Sequence, residues 1–169
     1  MTTDNFDKVE DDSARQAEVR VFQEDALTFL GVPHTRPIEE RQLATLIAKG
    51  FSLKAMERLD QVLFPDGPQL WKKLKDPASP ENPFDSKKLS RQESSRALYI
   101  AMCWLLAVKV FKAEDRARYF MINRSDLLFG QSPIEWIRDG RGRESYVINF
   151  LESLADLEWI APHIYQNED

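Results

Sequence analysis

Apolar residues recur along this chain at three- and four-residue intervals and nowhere alternate over the length of a strand, so the pattern predicts helices throughout. From about Ser13 to Leu30, Ala14, Ala17, Val21, Ala26, Leu27 and Leu30 keep helical spacing until Gly31 and Pro33 stop it. Pro37 opens a second run, "PIEERQLATLIAKG", in which Ile38, Leu43, Leu46 and Ile47 share a face and Gly50 fits just past the end. Ser52 then caps "SLKAMERLDQVLF", whose Leu53, Met56, Leu59 and Leu63 recur at spacings of 3, 3 and 4. Joined at Gly50, the two runs make an αα-hairpin or the start of a helix-turn-helix.

Pro65, Gly67 and Pro68 break the chain, a short helix "QLWKKLK" follows, and the prolines at 77, 80 and 83 make "DPASPENPFDSKK" a loop. Ser90 and Glu93 then have capping-box spacing at the head of the longest run, "RQESSRALYIAMCWLLAVKVFK". Ala97, Ala101, Trp104, Val108 and Phe111 alternate spacings of four and three, with Leu98 and Leu105 alongside, which predicts a central core helix about 33 Å long. "AEDRARYFM" reads as a short helix and "NRSDLL" as a turn-rich link. Next comes a rigid corner, "FGQSPIEWI", where Ser132 caps, Pro133 takes the first helical position and Glu135 completes a capping box. Gly130 sits just outside, where a positive φ carries no steric cost, and Ile134, Trp136 and Ile137 supply apolar surface. The spacing leaves Trp136 open as core or as part of a binding surface. Past "GRGR", Tyr146, Val147, Phe150, Leu151 and Leu154 mark a last long helix, and Pro162 breaks the acidic tail "WIAPHIYQNED".

A chain of 169 residues, 43% hydrophobic and 11% aromatic, can bury one ordinary core or two small ones. The single cysteine, Cys103, lies in an apolar run, which predicts a buried inert thiol and no disulfide framework. The start "MTTDNFDKVEDDSARQ" lacks the basic and apolar pattern of a signal peptide. The apolar run from Leu98 to Val110 is broken by Lys109 and falls short of the roughly 20 residues a bilayer requires. A cytoplasmic address without a membrane partner is therefore expected. The net charge of −5 is unevenly spread: residues 1–25 hold eight acids and three bases, and residues 150–169 five acids and no base. That leaves 15 acids against 20 bases in the middle, so an anionic partner is compatible with the acidic total.

Catalytic patterns are nearly absent. The six glycines, at 31, 50, 67, 130, 140 and 142, form neither a phosphate loop nor a dinucleotide fingerprint. His34 and His163 are far apart and have no ligand-spaced companion. No enzyme activity, metal or cofactor is expected. The segment from Lys72 to Arg96 holds seven bases against four acids. Lys72, Lys73, Lys75, Lys87 and Lys88 could contact DNA phosphates, although a solvated loop explains them equally well.

The order of "LSRQESSRALYIAMCWLLAVKVF", "RARYFMINRSDLLFGQSPIEWI" and "GRGRESYVINFLESL" resembles the toxin-binding domain of Xre/MbcA/ParS-type bacterial antitoxins over residues 89–154. Gly130, Ser132, Pro133 and Ile134 fall on that family's Gly-x-Ser-Pro-hydrophobic turn, and "LIAKGFSLKAMERLDQVL" is similar to the start of its helix-turn-helix half. Phe120 stands at a usual tryptophan, Arg124 at a usual proline, and the three-proline loop from Asp76 to Lys88 where a recognition helix would lie. The resemblance implies an all-α protein. The chain would then hold a DNA-binding-like helical region at 31–88 and a toxin-binding domain at 89–169, preceded by an acidic segment with a helix at 1–30 whose first 25 residues lie outside the resemblance. It further implies a homodimeric antitoxin that neutralises an NAD-consuming toxin, of RES or ADP-ribosylating type, by direct contact, with operator DNA as a second partner. Toxin contact is then expected at Gly130, Ser132, Pro133, Ile134 and Trp136, and at Trp159, His163 and Tyr165 in the tail. The alternative is a helical adaptor of the same descent that binds another protein and no DNA.

Overall fold

The computed structural model describes residues 4–74, 88–140 and 143–156, and these are all-helical: eight α-helices and one short 3-10 turn, with no strand among them. The proline-rich loop, with Lys75 and Lys87, and the tail carrying Trp159, His163 and Tyr165 lie outside the described residues.

Helix α5, Arg91–Phe111, is the axis of the molecule. Its capping box forms as the Ser90/Glu93 spacing predicts: Glu93 N–H donates to Ser90 Oγ at 3.2 Å, and Ser90 N–H to Glu93 Oε2 at 2.8 Å. Leu98, Ile100, Ala101, Cys103, Trp104, Leu106, Ala107 and Phe111 are all buried, spread over its whole circumference. Around it pack α1 (Asp4–Leu30), α2 (Glu40–Lys49), α3 (Leu53–Leu63), α6 (Glu114–Ile122), α7 (Pro133–Asp139) and α8 (Glu144–Asp156). The buried residues, from Ala26 in α1 to Leu154 in α8, form one continuous core. By length and composition α5 could cross a membrane, contrary to the sequence expectation, since its full helix is longer than its most apolar stretch. In this fold 72% of its apolar window is buried among the other helices.

Two helix starts differ from the pattern. The first helix begins at Asp4 rather than near Ser13, because the acidic turns before Ser13 contain no Gly or Pro and their carboxylates favour a helix N-terminus. The second begins at Glu40 rather than Pro37. Ile38 is buried and donates its N–H to Glu24 Oε1 at 2.7 Å, while Glu39 N–H bonds Gln42 Oε1 at 3.2 Å, so the chain stays extended until Glu39. Ser52 does stand at the N-cap of α3, but its hydroxyl makes no capping bond. Packing also differs from a simple hairpin: α2 lies chiefly on α5, and α3 on α1, α5, α6 and the short helix α4 (Leu70–Leu74).

Helix α4, Leu70–Leu74, is too short to persist alone. It is held at both ends by buried side chains from other helices. Asp60 of α3 accepts the N–H groups of Gln69 and Leu70 at 2.9 and 2.8 Å, and Arg96 of α5 donates to the Leu74 carbonyl at 3.1 Å. Leu70 and Leu74 are fully buried beneath these bonds.

The turn between α2 and α3 is bound to the head of α5: Phe51 N–H donates to Ser94 Oγ at 2.9 Å, and Leu89 N–H to the Phe51 carbonyl at 2.8 Å. Gly50 makes this approach possible, with φ at +77° and a bare Cα against the Leu89 carbonyl oxygen, into which a Cβ would run. Gly50→Ala is therefore expected to cost about 2 kcal/mol or more, a fall of about 4 to 8 °C in Tm for a chain of this size. An unchanged melting midpoint would show that this turn is not pressed onto Leu89.

Candidate interaction surface

The segment from Ser125 to Gln131 closes on itself. Ser125 N–H donates to the Gln131 carbonyl at 3.1 Å, and the Ser125 carbonyl accepts Leu128 and Gly130 N–H, each at 3.0 Å. The Ser125 hydroxyl also accepts Leu127 N–H at 3.2 Å, starting a 3-10 turn over Asp126–Leu128. Leu128 plugs into the core, and the backbone then enters the left-handed region twice, at Phe129 (φ 54°, ψ 41°) and Gly130 (φ 76°). Glycine accepts this freely, whereas an L-residue with a bulky side chain does so at about 1 to 2 kcal/mol. The reversal turns the Phe129 ring outward, 80% exposed.

Helix α7 begins as the sequence predicts. Glu135 N–H donates to Ser132 Oγ at 3.2 Å, Ser132 N–H to Glu135 Oε2 at 3.0 Å, and Pro133 occupies the first turn. Pro133, Ile134 and Ile137 enter the core, which directs Trp136 toward the flank of the helix, where it is half-buried. There the indole collects neighbours from three places. Phe129 stacks on it at 5.7 Å with 12° between planes, Tyr146 of α8 leans against it at 5.8 Å and 45°, and the Arg143 guanidinium lies over it at 4.8 Å. Tyr146 is 46% exposed and Leu127 53%, so an aromatic array with a leucine nearby faces solvent. The Trp136 Nε1 atom is buried and has no hydrogen-bond partner among the described residues.

Asp139 ties this array together. Its carboxylate accepts Gln131 Nε2 at 2.9 Å, Arg138 Nε and Nη2 at 3.2 and 3.1 Å, and Arg143 Nη1 at 3.5 Å, linking the closed loop to the start of α8. The Gln131 bond, aided by the arginines, holds the Asp139 pKa below the ordinary carboxylate range. Glu135 is lowered too, chiefly by the Ser132 backbone bond, with Arg124 at 3.7 Å contributing.

Ser132, Pro133 and Ile134 are thus buried props of the corner, and Gly130 is its exposed hinge. Of the five toxin-contact positions expected here, Trp136 is the one whose side chain joins the aromatic array. The hydrophobic periodicity singles out neither Phe129 nor Leu127, whereas Arg143 stands in "GRGR", where its guanidinium could hold an anion, and Tyr146 marks the last long helix. The legible signal was Phe129 itself: it follows a buried Leu128 and precedes a turn glycine. Among the lysines, Lys72 and Lys88 are exposed, and the Lys73 ammonium lies over the Phe64 ring at 5.9 Å. Lys73 lies on α4, which packs against α7, and its charge helps to lower the pKa of Glu135 beside Trp136. Cys103 is fully buried, and burial pushes its thiol pKa up. Compared with known protein families, curated proteins and solved structures, the chain matches none.

The Asp139 shift carries a sign. A carboxyl whose folded pKa lies below its unfolded value of about 3.9 contributes stability that is complete well above that value and is lost as pH falls through the folded one. Asp139→Asn should therefore melt below the wild type at pH 7, and the gap should close below about pH 4. Because the pair is solvent-screened, the gap should also narrow in high salt. A gap of constant size across this range would show that the carboxylate does not hold the corner.

Proposed function

We propose that the protein is an antitoxin that neutralises an NAD-consuming toxin by direct contact, and that the Phe129, Trp136 and Tyr146 array is part of the docking face. One observation carries the reading: three aromatic side chains converge on the surface of a corner whose backbone is fixed by its own hydrogen bonds. Aromatic anchors on a rigid support lose little conformational freedom on binding, and they dominate the energetics of protein interfaces. The array also lies inside the segment that resembles the toxin-binding domain, around the Gly-x-Ser-Pro turn. In this reading Trp159, His163 and Tyr165 of the tail extend the same contact.

The test is whether the adjacent reading frame in the genome encodes a small NAD-consuming toxin, an isolated gene counting against the reading, followed by co-expression with that toxin. The wild-type chain should restore growth. A Phe129→Ala, Tyr146→Ala variant should melt within a few degrees of the wild type, because Phe129 is 80% exposed and Tyr146 lies at the surface, 46% exposed. At about 2 kcal/mol per lost anchor, it should bind the toxin about a thousandfold more weakly. Growth arrest despite the wild-type chain would refute the antitoxin reading. Full protection by the double variant would refute this face as the docking site.

A further inference from the structure

Helices α1 and α8 both pack on α5, and where the three meet they leave a cavity of about 160 Å³. Its inner surface is apolar: Met102 of α5 is buried there, and Phe22 of α1, Tyr99 of α5 and Ile148 of α8 stand half-buried around it. Its rim is polar, with the Gln23 amide on α1 and the Ser145 hydroxyl and Asn149 amide on α8. Among the described residues, Glu152 is the one charged group in the lining, and Glu152 and Tyr99 each already have an interaction partner. The Lys109 ammonium lies over the Phe22 ring at 5.5 Å but does not line the cavity. What the rim offers a ligand is therefore two uncharged amides and a hydroxyl.

We propose that this cavity binds a small uncharged molecule made of one aromatic ring bearing a carboxamide, with the ring against Met102 and the carboxamide at Gln23 and Asn149. Volume sets the size, since an apolar cavity of roughly 150 Å³ accepts a single benzene ring. The walls select an aromatic ring, because a thioether and two ring side chains attract another ring beyond what its buried area alone returns. The rim selects the substituent. A carboxamide offers a donor and an acceptor, and so do the Gln23 and Asn149 amides that meet it from two different helices. A carboxylate in the same place would lose its water and meet the negative charge of Glu152. No member of the Phe129, Trp136 and Tyr146 array lines the cavity, so this site stands apart from the docking face and does not depend on the antitoxin reading.

The experiment titrates the full-length chain, 13C-labelled at its methionine methyls, with benzamide. The methyl resonance that is missing from Met102→Leu should shift and saturate, with a Kd of about 1 mM or tighter. Benzoate should bind about tenfold more weakly because of its charge, and cyclohexanecarboxamide about threefold more weakly because it lacks a π system. Gln23→Leu and Asn149→Leu change the rim and leave the apolar floor intact, so both should melt near the wild type. Each should bind benzamide about fivefold more weakly through one lost hydrogen bond. A Met102 resonance that does not shift, a shift that does not saturate, benzoate or cyclohexanecarboxamide bound as tightly as benzamide, or undiminished binding by both rim variants would each overturn the proposal.

Discussion

A helix that is apolar around its whole circumference has to be covered around its whole circumference, and α5 imposes that condition on everything else. Its neighbours bring loops and helix ends close to a dry core, where each unpaired N–H or carbonyl costs about 1 to 3 kcal/mol. The buried polar residues answer this one group at a time. Ser94 takes the Phe51 N–H, Arg96 the Leu74 carbonyl, Asp60 the start of α4 and Glu24 the Ile38 N–H. Each bond adds little net stability, but leaving it out would leave a group unsatisfied beneath apolar side chains. These residues therefore fix which neighbour sits where, while the leucines and phenylalanines provide most of the driving force.

The corner between α6 and α8 obeys a different logic. Its inner side is conventional core, with Leu128, Ile134 and Ile137 fully enclosed. Its outer side keeps Phe129 in a left-handed conformation and exposes most of that ring. An aromatic stack returns about 0.5 to 1.5 kcal/mol, which roughly offsets the backbone cost and leaves the exposed apolar area unrewarded in the free chain. Local strain and exposed aromatics at one place fit a surface shaped for contact better than one shaped for stability.

Helices with strong periodicity or a side-chain cap were legible in the sequence. The Ser90/Glu93 and Ser132/Glu135 boxes place the starts of α5 and α7, and the spacing of Leu53, Met56, Leu59 and Leu63 marks the buried side of α3. What was not legible depends on partners distant in the chain. The start of α2 is displaced by a carboxylate 14 residues away, and α4 survives through Asp60 and Arg96, which no local pattern connects to it. The α1 start was missed because acidic turns can be helical without an apolar stripe. At the corner, the cap and the turn glycine could be read directly. The solvent-facing array could not, because it requires Tyr146 of α8 and Arg143 to arrive beside Trp136, a matter of tertiary packing.

The central claim is that the outer side of this corner is a docking surface, and hydrogen–deuterium exchange on the full-length chain, free and saturated with the co-expressed toxin, tests it most directly. Amides of residues 125–131 and 143–148 should exchange more slowly in the complex, with α2 and α3 unchanged. Protection confined to α2 and α3, with the corner exchanging as in the free chain, would contradict it.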